Sequence, residues 1–132
     1  MIDQLGPGAD GRLTIGQRVI ALVLFTSARG GAYAEQVVVP AASVVPAPDG
    51  VDLFAASTLL MNAMTARLAL DALALPAGGT VAVTGAAGAV GGYAIELARA
   101  DGLTVIADAS DRDTDLVPVS YTHLTLPTNR EV

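Results

Sequence analysis

Two short β-branched runs, separated by a glycine-studded turn and an alanine-rich stretch, restrict this chain more than anything else in it. Thr80-Val81-Ala82-Val83-Thr84 has the make-up of a buried parallel strand, and Gly85-Ala86-Ala87-Gly88-Ala89-Val90-Gly91-Gly92 follows with no spacer. Helix-forming residues then run to about Asp101, Gly102 is placed to end the helix, and residues 103–108 form a second strand. This order predicts one βαβ unit. A strand that ends in Gly-x-x-Gly-x-x-Gly and feeds a helix directly can present backbone N–H groups and the positive helix terminus to a pyrophosphate, an approach that side chains would obstruct. Gly88 is expected to let the backbone come close to the phosphates and Gly91 to let the helix pack tightly on the strand, while Ala86 stands where the usual fingerprint has its first glycine. The expected cofactor-binding positions of the turn are Gly85, Ala86, Gly88, Ala89, Val90 and Gly91. A purely structural turn is the competing reading; the strand before the motif and the helix and strand after it favour a dinucleotide.

The kind of dinucleotide is read at the end of the second strand. A carboxylate there commonly binds the ribose 2′-hydroxyl, and a basic or small polar residue instead tolerates a 2′-phosphate. Asp108 is available as the ribose partner, 17 residues after Gly91, but the place that normally carries this carboxylate aligns better with Ala109. Ser110 and Arg112 could then meet a 2′-phosphate, which favours NADPH over NADH. In the competing reading Asp108 and Arg112 are solvated loop charges.

Ahead of this unit, residues 18–24 and 33–39 are rich in β-branched and aliphatic side chains and flank the turn-forming Ser27-Ala28-Arg29-Gly30-Gly31; they are predicted to pair as antiparallel strands. Pro40, Pro46 and Pro48 are predicted to break regular structure beyond them. Asp52 is placed to cap a short helix over 53–61. A second helix is predicted over 65–75 with Leu68, Ala72 and Leu75 on its apolar side, ended by Pro76-Ala77-Gly78-Gly79. The change from β-rich to α/β sequence places a domain boundary in the helical region, residues 52–76.

Composition narrows the chemistry. Among 132 residues there is no cysteine, no lysine and one histidine, His123, so disulfides, thiolate zinc sites, cysteine nucleophiles and histidine clusters are excluded. A net charge of −6 argues against nucleic-acid binding, which needs clustered cations to displace counterions. The longest apolar run, residues 19–25, falls far short of the roughly 20 residues of a membrane span. The first residues lack the basic start and apolar stretch of a signal peptide, so a cytoplasmic setting without membrane partners is expected. Residues 119–132 contain neither alanine nor glycine, against a chain otherwise full of both. They resemble the translated read-through of a transposon-end sequencing adapter, and residues 118–132 are expected to be a non-native tail; a genuine polar tail is the other reading.

Several segments together resemble the medium-chain dehydrogenase/reductase superfamily, in its zinc-independent quinone oxidoreductase branch. Gly16-Gln17-Arg18-Val19 is similar to the family's Gly-Asp-Arg-Val, with Gln17 for the usual Asp; Gly31-Ala32-Tyr33-Ala34-Glu35 and Val37-Val38-Val39-Pro40 are similar to its Gly-x-Tyr-Ala-Glu segment and the strand after it. Ala55-Ala56 and Leu60-Met61-Asn62-Ala63-Met64-Thr65-Ala66 resemble the linking helices, and residues 83–91 the cofactor loop. The resemblance implies an α/β architecture: part of a β-rich GroES-like catalytic domain (residues 1–51), linking helices (52–76) and the first βαβ unit of a Rossmann dinucleotide-binding domain (77–117). It implies Thr65 near the nicotinamide or the phosphates and Asn62 near the substrate cleft, against ordinary roles as a helix N-cap and a turn residue. Tyr33 and Tyr93 read as packed aromatics rather than catalytic groups. Zinc-containing relatives carry a cysteine ligand four residues before that threonine; here the place is Met61, and a thioether does not replace a thiolate for Zn²⁺.

The resemblance therefore implies a metal-free oxidoreductase, in its native form a homodimer, that moves a hydride from NADPH to a quinone or another conjugated carbonyl. Which residues are catalytic is left open. Family members have further strands before this segment and a second half of the nucleotide-binding sheet after it, so the 132-residue polypeptide is expected to lack reductase activity. Two other readings compete. An NADP-binding regulator of the extended short-chain reductase type would share Thr84-Gly85-x-x-Gly88-x-x-Gly91, but carries that motif at its start and has a Tyr-x-x-x-Lys pair in its catalytic forms. An enoylreductase module of a larger synthase would share the whole pattern.

Overall fold

A computed structural model describes residues 1–9, 11–26, 30–108, 113 and 122–123. The chain divides into two units, Met1–Met61 and Asn62–Val132.

In the first unit, strand β1 (Val19–Ala21) pairs antiparallel with β2 (Val44–Pro46), with Val19 opposite Pro46 and Ala21 opposite Val44. The strand expected over 33–39 is not formed, and Tyr33, expected to pack, is fully exposed. Pro46, expected to interrupt regular structure, instead closes the partner strand. The reason lies in the ladder. Leu22 donates to the Ser43 carbonyl (3.1 Å) and Ala47 to the Arg18 carbonyl (3.0 Å). Hydrogen-bonded pairs alternate with non-bonded ones in an antiparallel pair, so Pro46 faces Val19 where no N–H is required of it. Upstream, the Gln17 side-chain oxygen accepts from the Thr14 amide (3.0 Å), so a longer amide holds the turn where the family pattern has an aspartate.

Helix α1 (Leu53–Ser57) is capped as its sequence predicts: Asp52 Oδ1 accepts from the amides of Phe54 (2.9 Å) and Ala55 (3.2 Å). It stops well before Met61 because Ser57 and Thr58 turn their hydroxyls back onto the carbonyls of Phe54 (2.7 Å) and Ala55 (2.9 Å). Ile20, Ala47 and Ala56 form the buried centre of this unit, with Leu59 and Leu60 packed against it.

Helix α2 (Leu59–Leu73) starts earlier than expected, and its buried positions are Ala66 and Leu70 rather than Leu68 and Ala72. Leu68 lies about 200° around the helix from Leu70 and is exposed. Arg67 ties this helix to the end of the next one, with Asp71 at 2.8 Å and Asp101 at 2.7 Å. The hydrogen bond to Asp101, supplemented by Asp71, raises the guanidinium pKa further. After Leu73, Ala74 adopts a left-handed conformation with φ 46. Alanine carries a Cβ penalty there that glycine does not, and Ala74→Gly is expected to raise the unfolding free energy by about 1 kcal/mol, as checked by urea denaturation.

Strand β3 (Thr80–Val83), helix α3 (Ala89–Ala100) and strand β4 (Thr104–Ala107) form the expected βαβ unit, with β3 and β4 parallel from Thr80 opposite Thr104 to Val83 opposite Ala107. Thr122–His123 make a short parallel strand β5 on the far side of β4. Gly102 ends α3 as expected. Its amide bonds the Arg99 carbonyl and that of Leu103 bonds Ala98 (both 2.9 Å), which satisfies the last carbonyls in a Schellman turn. Leu70, Val81, Ala86, Ile95, Ala98, Val105 and Ala107 make the core. Burial alternates along β3, with Val81 in and Thr80 and Ala82 out, so the strand is covered on one face and not on both. Among the described residues no helix is long and apolar enough to cross a membrane.

Candidate dinucleotide site

The site lies where β3 runs out into the glycine turn. Gly85 takes the left-handed conformation (φ 66), which swings the chain off the strand and aims its carbonyl at the start of α3. That carbonyl accepts from the Gly88 amide at 2.9 Å. A Cβ on Gly91 would stand 2.3 Å from the same oxygen and 3.0 Å from the Ala86 Cα, so only glycine permits the first turn of α3 to sit against the loop. The tight packing expected of Gly91 is therefore present, and the atom it meets is the Gly85 carbonyl.

Gly88 is the N-cap of α3 and supplies no side-chain cap. The amides of Ala89, Val90 and Gly91 are in the first turn and have no intrahelical acceptor, so three donors and the positive end of a twelve-residue helix converge at the mouth of the turn. The outer side is open. A Cβ on Gly85 would meet nothing within 4 Å, and one on Gly88 would meet only the Gly85 carbonyl, at 3.1 Å. This glycine-lined opening has the donor set and the clearance that a pyrophosphate needs.

Ala86 contributes differently from its neighbours. Its side chain is buried in the core, and its amide donates to the Asp108 carbonyl at 3.2 Å. Asp108, just beyond β4, turns its carboxylate onto the loop: Oδ1 accepts from the Gly85 amide at 2.6 Å. The sequence points to this carboxylate but not to this partner. The usable signal is register, since a residue one place before the usual ribose-binding position projects to the opposite side of the strand.

The remaining predicted residues are less closely gathered. Asn62 and Thr65 both lie well inside α2, Thr65 exposed and Asn62 half-buried. The N-cap reading of Thr65 and the turn reading of Asn62 are thereby overturned, because α2 begins at Leu59. Ser110 and Arg112 lie outside the described residues. Among the described residues no three His, Cys, Asp or Glu side chains come together in a metal-binding group.

No family model matches the chain. It is 36% identical over 107 residues to prostaglandin reductase-3 of Mus musculus, a match that takes in 80% of this chain and 26% of that protein. Among solved structures, the quinone oxidoreductase of Thermus thermophilus, determined also as its NADPH complex, is 34% identical with a TM-score of 0.64, over 71% of this chain and 32% of that one. An alcohol dehydrogenase superfamily protein from Novosphingobium aromaticivorans is 28% identical with a TM-score of 0.83, over 92% and 37%. The chain thus spans about a quarter of the length of prostaglandin reductase-3. Sequence identity and backbone agree with the motif: the chain belongs to the medium-chain dehydrogenase/reductase superfamily, its first unit a partial GroES-like domain with few strands and its second the opening βαβ of a Rossmann domain.

Proposed function

We propose that this chain supplies the pyrophosphate-binding turn of an NADPH-dependent oxidoreductase that reduces a quinone or another conjugated carbonyl without zinc. The observation that carries the reading is the convergence of the Ala89, Val90 and Gly91 amides on an opening kept clear by Gly85 and Gly88. NADPH, when bound, supplies the hydride. The chain's part is to hold and orient it: the α3 terminus neutralises the pyrophosphate, and Gly91 fixes that terminus against the loop. Thr65 and Asn62 are proposed to serve the nicotinamide end and the substrate cleft, and Ser110 and Arg112 the 2′-phosphate. Zinc independence rests on Met61, whose thioether stands where zinc-containing relatives have a thiolate. Relatives described as a quinone oxidoreductase and a prostaglandin reductase support the reaction class. The setting proposed for the native protein is a cytoplasmic homodimer.

Calorimetric titration of the chain with NADPH and with NADH tests the cofactor. Tighter binding of NADPH is expected, and tighter binding of NADH would reverse the assignment. The reaction is tested in a protein of the relatives' full length that carries this segment, by following NADPH oxidation with a quinone before and after a zinc chelator. An unchanged rate is expected; a rate abolished by the chelator and restored by Zn²⁺ would refute the metal-free mechanism.

A further inference from the structure

We propose that Asp108 is a positioning residue, which sets the anion-binding amides of α3 by bracing the glycine turn instead of binding the cofactor's ribose; this rests on the dinucleotide reading above. Three hydrogen bonds tie Asp108 to consecutive parts of the β3 exit. Its amide donates to the Val83 carbonyl (3.2 Å), its carbonyl accepts from Ala86 (3.2 Å), and its carboxylate accepts from Gly85 (2.6 Å). The two backbone bonds continue the pairing of β3 with β4 and would form with any residue at this position. The carboxylate bond is specific to the side chain, and its short length is that of a charge-assisted hydrogen bond.

What that bond fixes is the left-handed Gly85, and Gly85 in turn fixes the helix. The Gly85 carbonyl accepts from Gly88, the N-cap of α3, and is the atom against which Gly91 packs. Displacement of Gly85 therefore displaces the first turn of α3, and with it the amides that would meet the pyrophosphate. Asp108 is half-buried, and its carboxylate already holds one donor. Selection between NADH and NADPH then falls to other residues, and Asp108 supports both cofactors alike.

The test compares the full 132-residue chain with Asp108→Ala and Asp108→Asn, the latter keeping an oxygen that can accept from Gly85. Amide NMR and hydrogen exchange read Gly85 directly, and calorimetry reads NADPH and NADH. The unaltered chain is expected to show a protected, downfield Gly85 amide. Asp108→Ala should abolish that signature and weaken both dinucleotides by the same factor, about tenfold for one hydrogen bond to a charged group, with Asp108→Asn in between. A Gly85 amide indifferent to Asp108→Ala would overturn the proposal. So would a variant that binds NADPH more tightly and NADH less, because that is the behaviour of a ribose ligand that repels a 2′-phosphate. Failure of the unaltered chain to bind either dinucleotide would overturn the cofactor reading and this role together, while a brace confined to the fold would still appear as lost Gly85 protection.

Discussion

Gly91→Ala is expected to destabilise the second unit by about 2 kcal/mol, although helix propensity alone favours alanine by about 1 kcal/mol. The new methyl would stand 2.3 Å from the Gly85 carbonyl oxygen and 3.0 Å from both the Gly85 carbonyl carbon and the Ala86 Cα. All three are backbone atoms, so no side chain can swing aside, and overpacking of this kind costs about 3 kcal/mol. The adjacent residue provides an internal contrast. A Cβ on Gly92, in the same helix, would meet nothing within 4 Å, so Gly92→Ala is expected to stabilise the chain by up to about 1 kcal/mol. Urea denaturation of the two variants should therefore give shifts of opposite sign. Equal shifts would show that Gly91 is not pressed against the loop.

Gly88→Asp is expected to separate binding from stability. Gly88 has φ −78 and ψ 162, an extended conformation open to any residue, and it is the N-cap of α3. Aspartate is among the best N-cap residues and differs from glycine there by only a few tenths of a kcal/mol, but its Cβ would stand 3.1 Å from the Gly85 carbonyl oxygen, so the variant should fold with a loss of about 1 kcal/mol. Its carboxylate would occupy the opening that the α3 amides serve. Two charges of like sign about 4 Å apart near a protein surface repel by about 4 kcal/mol, so NADPH affinity should fall by at least about a hundredfold. Calorimetry for binding and urea denaturation for stability check the two halves. A folded Gly88→Asp chain with undiminished affinity would place the cofactor elsewhere.

The βαβ unit was legible because it is local: β-branched runs, glycine spacing and a C-terminal Gly102 each act over a few neighbouring residues. The first unit was harder to read because its pairing joins segments more than twenty residues apart. Residues 33–39 have the stronger strand composition, yet Val44–Pro46 is the segment that pairs with β1. Tertiary placement overrode propensity there, and Pro46 was tolerated for a reason visible only once the register is known. The helix limits were displaced because Ser57 and Thr58 act through side-chain hydrogen bonds to the backbone, which hydrophobic periodicity does not report. At the site, glycine spacing identified the turn, and Gly91 has the packing role that this spacing implies. The bond from Asp108 to Gly85 depends on which way a strand-end side chain projects, and a one-residue difference in register decides that.

Whether the α3 terminus receives a pyrophosphate is tested most directly by an NMR titration of the isotopically labelled chain with NADPH. Saturable shifts concentrated at the amides of Ala89, Val90 and Gly91, reproduced by NADH and absent with nicotinamide alone, are the predicted result. Saturable binding that leaves those three amides unmoved, or no binding of either dinucleotide, would contradict it.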